Sequence, residues 1–167
     1  MPYTTLISVT DLAAHLDDSS WVVCDCRHDL ADTAAGSRAY AQAHIPGARF
    51  VHLDGDLSAP KTGRNGRHPL PDPEKVARRF GELGIDNTKQ VVAYDASGGP
   101  YAARLWWMLR WLGHDTAAVL DGGWNAWVKA QLPQTGRVPE IAAARFNPHP
   151  KTSAAVDAGT VAAPRFI

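Results

Sequence analysis

Apolar runs of strand length alternate along the chain with segments whose apolar positions recur at helical spacing, the pattern of successive β–α units in a parallel sheet. Strands are predicted over Val22–Arg27, Arg49–Leu53, Val91–Asp95 and Ala117–Asp121, with Ile7-Ser8 as a short edge strand. Helices fit between them at Asp11–Leu16, Arg38–Ala43, Glu74–Leu83, Pro100–Leu112 and Trp124–Ala130. Thr10 is placed to cap the first. Asp72-Pro73 opens the third and Gly84 closes it: an aspartate accepts from the free N–H groups of a helix start, proline suits the first turn, and glycine takes the left-handed turn that ends a helix. The order predicts an α/β three-layer sandwich with a central four- or five-stranded parallel sheet flanked by helices.

Two stretches break the pattern. Asp54–Leu70 carries five charged residues, three glycines and two prolines without a sustained period, and reads as a long surface loop, a place where function often sits. Beyond Leu132 the chain turns polar and proline-bearing, with Pro133, Pro139, Pro148 and Pro150. Residues 1–132 are therefore read as one domain, and residues 133–167 as an extended linker rather than core. Val156–Val161 begins to look like another element as the sequence stops at Ile167, so a continuation downstream is expected.

Composition adds mainly exclusions. A hydrophobic content of 45% over 167 residues suffices for one real core, and 17 basic residues balance 17 acidic ones, which gives no reason to expect a nucleic-acid or membrane partner. The N-terminus has no basic-then-apolar leader and no apolar run reaches membrane length, so a soluble, cytoplasmic protein is expected. The two cysteines, Cys24 and Cys26, lie in one strand. Period-two alternation puts them on one face as buried structural thiols, with Asp25 and Arg27 pointing the other way and Arg27 free to pair with a carboxylate. Their spacing fits no zinc site, and no metal or cofactor is expected.

The chemically privileged position is the end of the strand Val91–Asp95. Asp95 leads into Ala96, Ser97, Gly98, Gly99 and Pro100 and then a helix, and a strand, glycine-rich loop and helix N-terminus converge backbone N–H groups into an anion cradle. A cysteine there would be held as a thiolate. An aspartate is a poor sulfur acceptor. Such turns also recur as ordinary β–α connections, and spacing alone does not separate the readings.

The ordered set His44-Ile45-Pro46-Gly47-Ala48, Val91–Asp95, Arg104-Leu105-Trp106-Trp107-Met108-Leu109-Arg110, Gly113-His114 and Leu120-Asp121-Gly122-Gly123-Trp124 resembles the N-terminal domain of tandem rhodaneses, the family of thiosulfate and 3-mercaptopyruvate sulfurtransferases. The resemblance runs from about Leu6 to about Pro133. It implies a rhodanese-like fold and a two-domain parent whose second domain carries the catalytic cysteine at the position equivalent to Asp95, with residues 133–167 leading toward that domain. The parent moves sulfane sulfur from a small sulfur-containing donor to a thiophilic acceptor, and the present chain alone is expected to be inactive. By resemblance to the mercaptopyruvate branch, Asp54 and His68 match an acid and a histidine contributed near the second domain's cysteine. A His–Asp pair suits proton transfer, although both residues can equally be solvated loop positions, and their spacing is longer than in that branch.

The helix Pro100–Leu112 is apolar nearly all round: Leu105, Met108, Leu109 and Leu112 can face the sheet while Trp106, Trp107 and Trp111 spread around the rest. Arg104, Trp107 and Trp111 are thus candidate contacts for a second domain, or for self-association; alternatively neighbouring loops cover the indoles, with Arg104 and Arg110 stacked on them. His44 reads as structural, its ring bonding backbone. Two further functions compete: a stand-alone anion- or protein-binding regulatory module using the cradle, and an enzyme with Asp95 as nucleophile. The latter lacks the second aspartate that such enzymes place two residues on, where Ser97 stands.

Overall fold

The computed structural model describes residues 1–155; the possible element at Val156–Val161 lies outside them. The chain runs β1 (Leu6–Ile7), α1 (Val9–Ala13), β2 (Trp21–Asp25), α2 (Ala35–Gln42), β3 (Arg49–Phe50), α3 (Pro73–Glu82), β4 (Gln90–Tyr94), α4 (Pro100–Trp111), β5 (Ala117–Leu120) and α5 (Gly123–Lys129). The five strands form one sheet in the order β1-β5-β4-β2-β3, every pair parallel.

Alternation along the strands supplies both faces of the sheet. Val22, Cys24, Val91 and Ala93 enter a cluster with Val76 and Phe80 of α3 and Leu105, Met108 and Leu109 of α4. Val23, Val92 and Tyr94 enter the opposite cluster with Leu12 of α1, Ile45 and Trp127 of α5. Helices on both sides of a parallel sheet give the three layers predicted from the pattern.

Differences from the predicted boundaries have local causes. Helix α1 starts at Val9 because Ser8, not Thr10, is its cap: the Ser8 hydroxyl accepts from the Asp11 N–H at 3.1 Å and donates to the Asp11 carboxylate at 2.7 Å. Strand β3 stops at Phe50 instead of Leu53, since the His52 N–H turns to the Asp56 carboxylate at 2.7 Å. Helix α2 begins at Ala35 instead of Arg38. Gly36 in its first turn lies so close to the end of β2 that a Cβ there would sit 1.8 Å from the Arg27 carbonyl oxygen.

The segment after Leu132 is extended, but it does not leave the domain at once. Thr135 pairs with His44, the Ala144 N–H donates to Gly81 O at 2.8 Å, and the His149 and Lys151 N–H groups donate to the carbonyls of Leu112 and Trp111, both at 2.8 Å. Phe146 is 5% exposed, in edge contact with Phe80 and His114. Its assignment to linker rather than core is therefore corrected: an apolar ring of this size amid a polar, proline-bearing stretch leaves water by packing on Phe80 of α3 and His114 beyond α4.

Candidate functional site

Asp95 follows the last residue of the central strand β4 and stands at the carboxyl edge of the sheet, where ligands of open α/β folds gather. Gly98 and Gly99, at φ 85° and 106°, curl the loop back so that successive amides converge ahead of α4. The convergence point is filled from within. The Asp95 carboxylate accepts four backbone N–H groups, from Ser97 at 2.8 Å and Gly99 at 2.9 Å on Oδ1 and from Tyr101 at 2.9 Å and Ala102 at 3.0 Å on Oδ2. It is 2% exposed. The loop thus binds an anion as its composition predicts, and the anion is its own aspartate.

The Gly122-Gly123-Trp124 turn locks this arrangement from the neighbouring strand. The Trp124 N–H donates to Asp95 O at 2.8 Å, and at Gly123, with φ 55°, a Cβ would lie 2.3 Å from that oxygen. A buried polar network flanks it. Asp25 accepts from Arg27 Nη2 at 2.6 Å and from the Tyr94 hydroxyl at 2.7 Å, while the Arg27 guanidinium lies 4.4 Å from the Trp124 ring centroid. Burial, reinforced by the Asp25 charge, pushes the Tyr94 phenol up, so it serves as a fixed donor. Arg27 thereby finds the carboxylate expected of it, on its own strand. His44 likewise bonds backbone, its ring nitrogens 2.7 Å from Tyr40 O and 3.1 Å from Arg137 O.

The long loop brings Asp54 and His68 together. His68 Nε2 lies 3.4 Å from Asp54 Oδ1, Lys61 Nζ 3.6 Å from the same oxygen, and His28 Nε2 3.9 Å from Oδ2. Arg104 holds the loop: its Nη2 donates to the carbonyls of Leu57 at 3.0 Å and His68 at 3.3 Å. The cluster adjoins the Asp95 loop through Tyr101, whose N–H is on Asp95 and whose ring meets His28 at 5.3 Å. His28 and Lys61 were not singled out from the sequence. The signal for His28 was its place just beyond β2 at the sheet's carboxyl edge.

Along α4, Trp106 and Trp107 remain half-buried. Trp106 Nε1 donates to Thr4 O at 2.9 Å under the Arg110 guanidinium, and Trp107 stacks on Trp111 at 5.9 Å. Trp111 is 7% exposed and presents little indole surface to any partner. Trp107 is the more accessible of the two candidates.

The thiols lie apart from this chemistry. Burial pushes Cys24 up to about 12 and Cys26 well above the ordinary thiol range. Burial also lowers the histidines His28, His68 and His114; Asp54 opposes this at the first two, and hydrogen bonds from the ring to the Thr116 and Lys89 backbone oppose it at His114. A histidine lowered on folding binds fewer protons in the native than in the unfolded chain as pH falls below the ordinary imidazole value of 6.5. Its stabilising contribution is therefore complete above that pH and lost below it. Urea midpoints measured from neutral to mildly acid pH should fall progressively as pH drops below about 6.5.

Comparison with known proteins gives these residues a family. The rhodanese-like domain family matches residues 8–130. The "Probable 3-mercaptopyruvate sulfurtransferase" of Pseudomonas aeruginosa is 42% identical over 98% of this chain and 58% of its own length, and human 3-mercaptopyruvate sulfurtransferase is 36% identical over 77% of this chain and 41% of its own. Among solved structures, SseA from Escherichia coli, a 3-mercaptopyruvate sulfotransferase, superposes with a TM-score of 0.85 at 30% identity, covering 95% of this chain and 60% of that one. The chain spans about half the length of the relatives it matches. Among the described residues no helix is long and apolar enough to cross a membrane.

Proposed function

The chain belongs to the rhodanese-like domain family and is homologous to 3-mercaptopyruvate sulfurtransferases, and from that premise we propose that it is the non-nucleophilic domain of such an enzyme. The observation that carries the proposal is the filled cradle at Asp95. Sulfur transfer needs a thiolate that attacks the donor's outer sulfur, the sulfane sulfur of thiosulfate or the thiol sulfur of mercaptopyruvate, holds it as a persulfide while sulfite or the pyruvate fragment departs with the bonding electron pair, and yields it to an acceptor. A carboxylate oxygen forms no persulfide. This one is further committed to four amides and shielded from solvent.

The domain's contribution is then a wall of the cleft. A cysteine-bearing rhodanese-like domain is the partner, and Asp54 with His68 supplies an oriented imidazole for proton traffic when a mercaptopyruvate carbon–sulfur bond breaks and the carbon keeps the electron pair. Half-buried Trp107 offers apolar surface for docking. The rival use of the cradle as a site for an external anion is disfavoured, because the chain's own carboxylate already occupies it.

The test is turnover. The purified chain, incubated with thiosulfate or 3-mercaptopyruvate and cyanide, should release no thiocyanate or pyruvate above the uncatalysed rate. Ellman titration at about pH 8 should find both thiols silent until the chain is unfolded. Thiocyanate formation that disappears in Cys24→Ser or Cys26→Ser, or in Asp95→Ala, would contradict the proposal and locate the true nucleophile.

A further inference from the structure

The Asp54 carboxylate divides its oxygens between two parts of the chain. Oδ1 faces His68 and Lys61 on the long loop, and Oδ2 faces His28 just beyond β2. His28 is the inner of the two imidazoles, with its side chain 1% exposed and the rings of Tyr101 and His52 against it at 5.3 and 5.4 Å. Neither of its ring nitrogens has a hydrogen-bond partner among the described residues, and Asp54 Oδ1 also lacks one. Such idle buried groups are uncommon in a folded protein and ask for a reason.

The other groups facing His28 are already engaged. His52 Nδ1 accepts from the Asp54 and Gly55 N–H groups at 3.1 and 3.2 Å, which leaves the proton on Nε2 to be donated to Thr33 O at 3.0 Å. Asp29 accepts from the Ala31 and Asp32 amides. Among the described residues Asp54 Oδ2 is the carboxylate oxygen in an ion-pair contact with an idle nitrogen of His28, and closing their 3.9 Å separation by about 1 Å makes an ordinary hydrogen bond.

We propose that His28 is a positioning residue acting through Asp54: its Nε2–H donates to Oδ2, sets the plane of the carboxylate, and holds Oδ1 toward His68 in preference to Lys61. This rests on the reading of Asp54 and His68 as the chain's share of a sulfur-transfer cleft. A carboxylate fixed from behind opposes most strongly the lowering of His68 by burial and by the Lys61, Arg67 and Arg104 charges. One free to swing to Lys61 does not.

The experiment is an NMR titration of the His68 imidazole in the full chain, which needs no catalysis. Asp54→Asn should lower the His68 pKa by about one unit. His28→Phe, which fills the same space without a donor, should lower it by at least roughly half as much, and should add nothing in the Asp54→Asn background. His28→Gln, whose amide can donate from a similar position, should keep the wild-type value. If His28→Phe does not fold, His28→Met carries the same expectation. A His68 pKa that falls in Asp54→Asn but is untouched by His28→Phe or Met would reduce His28 to packing and overturn the proposal while leaving the Asp54–His68 reading intact. No change in Asp54→Asn would overturn both.

Discussion

Replacing Asp95 by alanine should destabilise the domain by about 3–5 kcal/mol, a large effect for a residue at the end of a strand. The carboxylate removed satisfies four backbone N–H groups at 2.8–3.0 Å. Each buried donor left without an acceptor costs about 1–3 kcal/mol, and water entering the vacated cradle recovers part of the sum. The substitution also empties a preorganised anion site, so sulfate should raise the melting temperature of Asp95→Ala markedly and that of the parent chain only slightly. Asp95→Asn should recover only part of that loss, since its amide oxygen can accept from one pair of backbone donors while its NH2 must face the other pair. Equal stability of Asp95→Ala and the parent in urea would mean that the aspartate does not hold the loop.

Phe146→Ala should cost about 3 kcal/mol, in the range for deleting a buried aromatic ring. Phe146 is 5% exposed and meets Phe80 edge-on at 5.4 Å. Its strand-like neighbours are tied down on both sides: Asn147 exchanges two hydrogen bonds with Asn87 at 2.8 and 2.9 Å, and the Ala144 N–H reaches Gly81 O. Shortening the chain to its first 132 residues removes the same ring and should lose at least as much stability. If the urea midpoint of Phe146→Ala matched that of the parent, the returning segment would be an adherent tail and not part of the core.

The contrast between these residues explains what the amino-acid order disclosed. Strand alternation and helix punctuation are local signals, so Val91–Asp95, the Asp72 cap and the Pro100 start of α4 were legible, as were two thiols on one strand face. Phe146 was not, because one aromatic in a proline-bearing stretch has no periodicity and its burial depends on Phe80 and His114, far away in sequence. The cradle was legible from its glycines, yet not that Asp95 itself fills it, since the amides that meet its carboxylate are turned inward by the φ values of Gly98 and Gly99. At Asp54 and His68 sequence spacing was a poor guide, because a long loop can return on itself; Arg104, from another element, draws its far side in. His28 was missed for the same reason: the carboxylate 3.9 Å from its ring is supplied by that loop.

The reading of this chain as a rhodanese-like domain without its own nucleophile is tested most directly by intact-mass spectrometry after incubation with thiosulfate or 3-mercaptopyruvate under reductant-free conditions. The mass should remain that of the unmodified chain, because Cys24 is pushed up to about 12 and Cys26 well above its ordinary range by burial, and the privileged position holds an oxygen acid. A single added sulfur atom that cyanide removes would show a working persulfide on this chain and contradict that reading.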